Sequence, residues 1–419
     1  MRRRIAIVGS GVSGLVAART LHARHEITVY EAAGAPGGHA RTVALPGDIG
    51  VDTGFIVFNE RTYPGFTTLL REVGVASQPS DMSFSVSCRR CGIEYSSRGL
   101  AGLFARPAQV LRPGVYRMAA DVLRFNAWAR RTADTLRDAE ATIGDLQARG
   151  RFGADFFRHY LLPMSSAIWS AAATDAVRIP LAFLLAFFAN HGLLQVRGQP
   201  SWRTVTGGSR RYVEALVRPF RHRVRLHAPV RRIRRDAAGV EVHTRDMGWE
   251  RFDDVVVATH ADQALALIDQ PAGEEREALG AIPYRRNVAV LHTDRRVLPR
   301  AAAAWASWNA QVEDCTDHHA PLRMTYHMNR LQALPDGPDY CVTLNDEERI
   351  DPARVLARHV FDHPVFSTSG LRARAALRAM HGRRRTFYCG AYLGDGFHED
   401  GLRSGLEVGE AIDRRREAA

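Results

Sequence analysis

Lysine is absent: all 57 residues counted as lysine or arginine in this chain of 419 are arginine. That excludes whole classes of chemistry, since a Schiff-base enzyme and a P-loop phosphate site both need an amine the chain cannot offer. Cysteine is scarce, and five residues at irregular spacing do not make a disulfide framework, so a reducing compartment is expected. Long apolar runs are also lacking. The longest, residues 179–188, is about half of what crosses a bilayer, and no signal-peptide pattern precedes the first strand. The expected location is therefore cytoplasmic. What the chain has in excess is positive charge, a formal +12. Codon bias in a GC-rich genome accounts for arginine over lysine but not for the excess, which favours anionic partners: nucleic acid, an acidic substrate or an anionic membrane face.

The first chemistry-bearing motif comes at once. Arg4 to Val8 is a short β-rich run, followed by Gly9-Ser10-Gly11-Val12-Ser13-Gly14, then a helical pattern, then a second strand, Ile27 to Tyr30, closed by Glu31. A lone GxGxxG is weak evidence, but one placed between strand and helix with an acid downstream points strongly to a dinucleotide. Gly9 allows the tight turn, Gly11 lets a pyrophosphate approach the backbone, and Gly14 lets the helix pack on the sheet. Val12 and Ser13 open that helix, whose N-terminus attracts phosphate charge, and Glu31 accepts hydrogen bonds from a ribose.

The segments Gly37-Gly38-His39-Ala40-Arg41-Thr42 and Asp52-Thr53-Gly54 follow, and with them the chain resembles the flavin amine oxidase and phytoene desaturase superfamily. The resemblance implies FAD as cofactor, wrapped by Gly37, Gly38 and Gly54. It also places His39 where the family has arginine, with Arg41 as the substitute charge. Further on, Val230 matches the family residue whose backbone meets adenine. Gly390 ends a strand, although Ala391 replaces the acid usual after it. Asp400, Gly401 and Leu402 open a final helix that the family sets under the flavin. The matches at both ends and in the middle predict an α/β fold: a Rossmann-type FAD domain from residues 1–75, 203–275 and 378–419, interleaved with an α+β substrate domain, membrane-facing, from 76–202 and 276–377.

Many members of that family carry a lysine that holds a water near the flavin, and the matching stretch here, 287–292, has none, which argues against a standard amine oxidase. The segment Arg98 to Arg131 points elsewhere. Apolar and aromatic residues alternate there with arginines at 98, 106, 112, 117, 124, 130 and 131, against one acid, Asp121. It reads as a helix in an anionic membrane interface or as a core helix with solvated arginines; nucleic acid is not expected. The all-apolar run 179–188 is a core helix or the lining of a lipid tunnel.

Finer phrases, 51–59, 291–294, 305–309 and 396–401, resemble a bacterial subgroup of FAD proteins associated with cyclopropane-fatty-acid-synthase-like methyltransferases. That resemblance implies dehydrogenation of a phospholipid acyl chain, methyl-branched and unsaturated, by an enzyme peripheral on the inner face of the cytoplasmic membrane with a lipid methyltransferase as partner. A soluble oxidase of a small amine or alcohol is the alternative, and a non-enzymatic FAD protein that recruits a methyltransferase is a third reading. Acyl dehydrogenation needs a base beside the hydride acceptor. The candidates are His398 and Glu399 at the final helix, His292 on a substrate-domain strand, and His260 after the strand 254–259. Cys88-Arg89-Arg90-Cys91-Gly92 has zinc-knuckle spacing, but no second ligand pair follows in sequence, so it reads as a hairpin turn and no metal is expected.

Overall fold

A computed structural model describes residues 2–133, 140–170, 172–195, 198–317 and 322–417. Its first strand, Arg4–Val8, is apolar from Ile5 on because both faces are covered. Ile5 and Ile7 face one core with Leu15, Ala18 and Val408, while Ala6 and Val8 face a second core with Val255 and Val257. Around it stands a five-stranded parallel sheet in the order Val224–Arg225, Glu26–Tyr30, Arg4–Val8, Asp254–Val257, Thr386–Tyr388. This is the Rossmann-type α/β arrangement that the sequence predicts. A three-stranded antiparallel sheet, Val230–Arg235, Val240–Thr244 and Gly248–Phe252, sits beside it.

The second half of the molecule is a seven-stranded sheet running Val355–Pro364, Tyr284–His292, Cys341–Leu344, Leu322–His327, Trp308–Val312, Phe84–Cys88, Glu94–Ser96. Neighbours are antiparallel except Trp308–Val312 with Phe84–Cys88, which run parallel. Helices from residues 113–190 gather a separate aromatic core, with Phe125, Phe156, Phe157 and Phe188 fully buried. The all-apolar helix Leu181–Asn190 belongs to it, so this run packs within protein.

Two helices meet at backbone distance beneath the nucleotide sheet. The final helix, His398–Glu417, presents Gly401, Gly405 and Gly409 at four-residue spacing to the first helix, Val12–Leu21. A Cβ on Gly405 would lie 2.4 Å from Ser13 O, and one on Gly401 would lie 2.7 Å from Val12 Cγ1. No side chain fits between the two helices along that line.

The arginine-rich segment is three pieces rather than one helix. A short helix Gly99–Leu103, a 3-10 turn Pro107–Leu111 and a long helix Pro113–Thr132 succeed one another, and each proline starts a new element because its ring cannot continue the previous one. Leu100 and Leu111 are 76% and 86% exposed, Val110, Tyr116 and Leu123 are also exposed, and so are Arg106, Arg112, Arg117 and Arg124 among them, with Arg112 donating to Cys91 O and Arg124 paired with Asp121. Among the described residues no helix is long and apolar enough to cross a membrane.

Candidate active site

The nucleotide end of the site is built from glycines that face one another. Gly9 adopts φ +103°, and a Cβ there would stand 2.8 Å from Ala258 O. Gly11 has extended backbone and open space where a Cβ would be, the clearance a pyrophosphate needs. Gly14 is the opposite case: its Cβ would strike Gly9 O at 2.1 Å. The second glycine turn closes on the first, because Gly37 N donates to Ser10 O at 2.9 Å and a Gly38 Cβ would meet Gly11 Cα at 3.1 Å.

Glu31 accepts hydrogen bonds from Ser10 N at 3.1 Å and from Ala33 N at 2.8 Å, and Ser10 Oγ donates to it as well. Ala228 N donates to the Glu31 backbone carbonyl at 2.8 Å, which brings the start of the strand Val230–Arg235 to the end of Glu26–Tyr30. Two helix N-termini, a clear backbone cradle and a carboxylate at the strand end are the donor set that an adenine dinucleotide requires. The residues fit FAD.

Towards the substrate half the chain continues through Gly54, whose hydrogen stands in for a Cβ that would lie 2.1 Å from His39 O. Asp52 just before it is fully buried. It takes hydrogen bonds from Ser209 N at 2.9 Å, Ser209 Oγ at 2.8 Å and Gln332 Nε2 at 3.0 Å, and burial pushes its carboxyl up to about 7. This knot ties the wrapping segment to both halves of the molecule.

His39 points inward and meets His260, His363 and Phe361 with ring centroids 5.8, 5.3 and 5.0 Å away. The Arg41 guanidinium instead lies near His359, lowering that imidazole after the larger effect of burial. His260 stacks on Tyr284 at 4.5 Å, with its Nδ1 buried and unpartnered. His398 stacks on Phe55 at 3.7 Å, and its Nε2 lies 2.5 Å from the Tyr212 hydroxyl. Burial lowers all four imidazoles, His363 to about 4 and His398 to about 3, so the cluster is neutral at physiological pH.

The other sequence candidates are occupied elsewhere. Glu399 caps the helix Pro64–Glu72, accepting from Gly65 N and Phe66 N at 2.8 Å each, so neither oxygen is free to take a substrate proton. His292 is engaged at both nitrogens, by Thr343 Oγ1 at 2.8 Å and Asp294 N at 3.0 Å, and lies on the far strand end from the cluster. Asp400 accepts from Asp395 N and Phe397 N, and burial with the neighbouring Asp395 carboxyl raises it to about 6. Leu402 is buried in the core, and Gly390 N donates to Ser404 Oγ at 3.0 Å.

Sequence reasoning missed Tyr212, Tyr284, Phe361 and His363. The alternation His359, Phe361, His363 on one face of the strand Val355–Pro364 is the signal that was available. Next to the cluster, Trp169, Phe183, Phe187, Phe366 and Phe397 form an aromatic wall with ring centroids between 4.9 and 6.3 Å. A narrow cavity of about 10 Å³ runs between Trp169, Phe366 and His363, with the Arg285–Asp175 ion pair on its lining.

The sequence profile of the flavin containing amine oxidoreductase family matches residues 12–412. The chain belongs to that family. It is an FAD-dependent oxidoreductase, and FAD is its cofactor. AofH of Mycobacterium tuberculosis, which carries the name of a flavin-containing monoamine oxidase, is 26% identical over 368 residues, 84% of this chain and 76% of AofH. The conjugated-linoleic-acid-producing fatty acid isomerase of P. acnes superposes with a TM-score of 0.71 at 16% identity, covering 98% of each chain. Cyclohexylamine oxidase of Brevibacterium oxydans gives the same TM-score and identity over the full length of both. At that identity the two structures establish the shared fold.

Proposed function

We propose that this flavoenzyme dehydrogenates an acyl chain of membrane phospholipids, methyl-branched and unsaturated, while docked on an anionic membrane face. The observation that carries the reading is the exposed apolar group Leu100, Val110, Leu111, Tyr116 and Leu123 set among exposed arginines. Side chains of that size exposed together are costly in water and at home in a lipid interface, and the arginines match phospholipid phosphates. The aromatic wall beside the histidine cluster offers an apolar surface suited to a hydrocarbon chain. The likeness of the fold to that of a fatty acid isomerase supports an acyl substrate.

FAD, when bound, would supply the hydride acceptor for oxidation of the acyl chain. The chain's own residues do the rest. Gly11, Gly38 and the first helix would hold the diphosphate, Glu31 would hold the ribose, and the start of the final helix would favour negative charge on the ring system. A neutral imidazole receives the accompanying proton; His260, with its free Nδ1 in the buried cluster, is the proposed acceptor, and His398, hydrogen-bonded to Tyr212 and stacked on Phe55, is held in place beside it. The Trp169–Phe397 wall excludes water from the reacting carbons. A lipid methyltransferase that supplies the branched chain is the proposed partner.

The test is an anaerobic absorbance spectrum of the purified flavoprotein before and after addition of vesicles containing methyl-branched unsaturated phospholipids. Bleaching of the oxidised bands is expected. Bands unchanged by lipid but bleached by a primary amine would overturn the proposal in favour of the second reading, a soluble amine oxidase, which the named activity of AofH supports.

A further inference from the structure

Outside the flavin site, a second group of chemistry-bearing side chains assembles from three distant parts of the chain. Cys88 ends the strand Phe84–Cys88, and Cys91 lies in the turn that returns to Glu94–Ser96, where Gly92 N donates to Cys88 O at 3.0 Å. The pairing with Trp308–Val312 continues beyond both strand ends. Arg89 N donates to Val312 O at 3.0 Å and Arg90 N to Glu313 O at 3.2 Å, which carries the loop with Cys315 over the Cys-x-x-Cys turn. From the other side comes His159, in the π-helical turn Phe157–Leu161, its carbonyl held by the Tyr95 hydroxyl at 2.7 Å.

The sulfurs of Cys88 and Cys91 and a ring nitrogen of His159 all lie within 4.8 Å of one another, with Cys91 Sγ 3.7 Å from His159 Nε2. Cys315 lies on the adjoining loop, close enough to act on both of the other thiols. All of these cysteines are free. Cys88 and His159 are 3% and 1% exposed, and His159 Nδ1 is buried without a partner. Thiols are weak hydrogen-bonding groups, so protein alone satisfies this pocket poorly.

We propose that Cys88, Cys91, His159 and Cys315 form a structural zinc site. Zinc bonded to sulfur at about 2.3 Å and to nitrogen at about 2.0–2.1 Å in a tetrahedron sets sulfur and nitrogen ligands about 3.6 Å apart, close to the observed contact. With Cys315 drawn in from its loop as the fourth ligand beside the three clustered atoms, no position stays open, which makes the site structural rather than catalytic. Binding releases the thiol protons to solvent and leaves a net charge of −1 beside Arg158, which is close enough to act on Cys315, while Arg90 is paired with Asp314. The ion would pin the hairpin turn, the π-helical turn and the loop after Trp308–Val312 together. Arg158 and Cys315 also line an open cavity of about 450 Å³ with Leu162, Val177 and Leu322, so the ion would brace one wall of it.

The metal content of the FAD-loaded protein from zinc-replete culture, measured by plasma mass spectrometry against flavin absorbance, tests this. About one zinc per flavin is expected, and cobalt exchanged into the site should give the intense ligand-field and sulfur charge-transfer bands of tetrahedral thiolate coordination. Cys88→Ser and Cys315→Ser should each lower zinc occupancy by at least about tenfold under competing chelator, whereas Cys341→Ser and Cys389→Ser should leave it unchanged. If the serine variants fail to fold, the wild-type ratio and the cobalt spectrum decide the matter. Wild-type protein free of zinc, or one in which Cys88 and Cys91 are isolated as a disulfide, overturns the proposal.

Discussion

Tyr212 and His398 share a buried hydrogen bond of 2.5 Å between the phenol oxygen and Nε2, in a place where burial holds the phenol well above and the imidazole well below their ordinary ranges. The two groups therefore stay neutral, His398 with its value near 3. His363, near 4, behaves alike. A group with so low a value gains its proton only in strong acid, so the rate constant of flavin reduction should show no limb at the ordinary histidine value between pH 5.5 and 8 (about 6.5). Stopped-flow reduction across that range checks this; a limb near 6.5 that disappears in His398→Gln would show a solvated, titrating imidazole instead.

Gly11 and Gly14 separate cofactor binding from folding. Gly11→Ala adds a methyl to open space and should leave the melting temperature of the apoprotein within a degree or two, while intruding on the diphosphate and weakening FAD by at least about tenfold. Gly14→Ala drives a methyl onto Gly9 O and should destabilise the apoprotein itself, by about 1–3 kcal/mol. Flavin retention on gel filtration and thermal unfolding distinguish the two outcomes.

The nucleotide half was legible because its signals are contiguous: strand, glycine turn, helix, strand and acid run in order from Arg4 to Glu31, the glycines acting through their backbone and Glu31 through its carboxylate. The histidine cluster was not. His39, His260, His363 and His398 come from four separate segments, and only the packing of Val355–Pro364 against Tyr284–His292 turns His363 towards the others. Glu399 shows the converse error. Its position beside His398 suggested a base, yet helix geometry aims neighbouring side chains in different directions, and its carboxylate serves the N–H groups of Gly65 and Phe66. The Cys-x-x-Cys turn read as incomplete because its complement, His159 and Cys315, lies in elements with no motif of their own.

Arg235 and Glu275 form an ion pair with side chains 1% and 7% exposed, completed by the Tyr388 hydroxyl at 2.7 Å. Glu275→Gln should destabilise the protein by about 3–5 kcal/mol, because it leaves a buried guanidinium without its counter-charge. Despite burial, the hydrogen bonds from Arg235 and Tyr388 lower Glu275 from 4.5 to about 2. A depressed folded-state value stabilises above the unfolded one, so this contribution is complete above about pH 4.5 and fades as pH falls towards 2. Urea midpoints measured from pH 7 to 3 should fall less steeply in the variant than in the wild type.

Arg106, Arg112 and Arg117 are exposed, as are Leu111 and Tyr116, and each basic residue near an anionic surface contributes about 1 kcal/mol of attraction. Replacing all three with glutamate should therefore weaken sedimentation with phosphatidylserine- or phosphatidylglycerol-containing vesicles by at least about 100-fold at low salt. None of the three touches the nucleotide cradle, so flavin content should stay as in the wild type. Leu100→Ser with Leu111→Ser removes the most exposed apolar side chains and should weaken binding to neutral vesicles as well, since insertion rather than charge is lost. Wild-type binding in both variants would place the membrane contact elsewhere on the molecule. Loss in the arginine variant together with retention in the leucine variant would mean attachment by charge alone, with the acyl chain reaching the aromatic wall by a route other than this face.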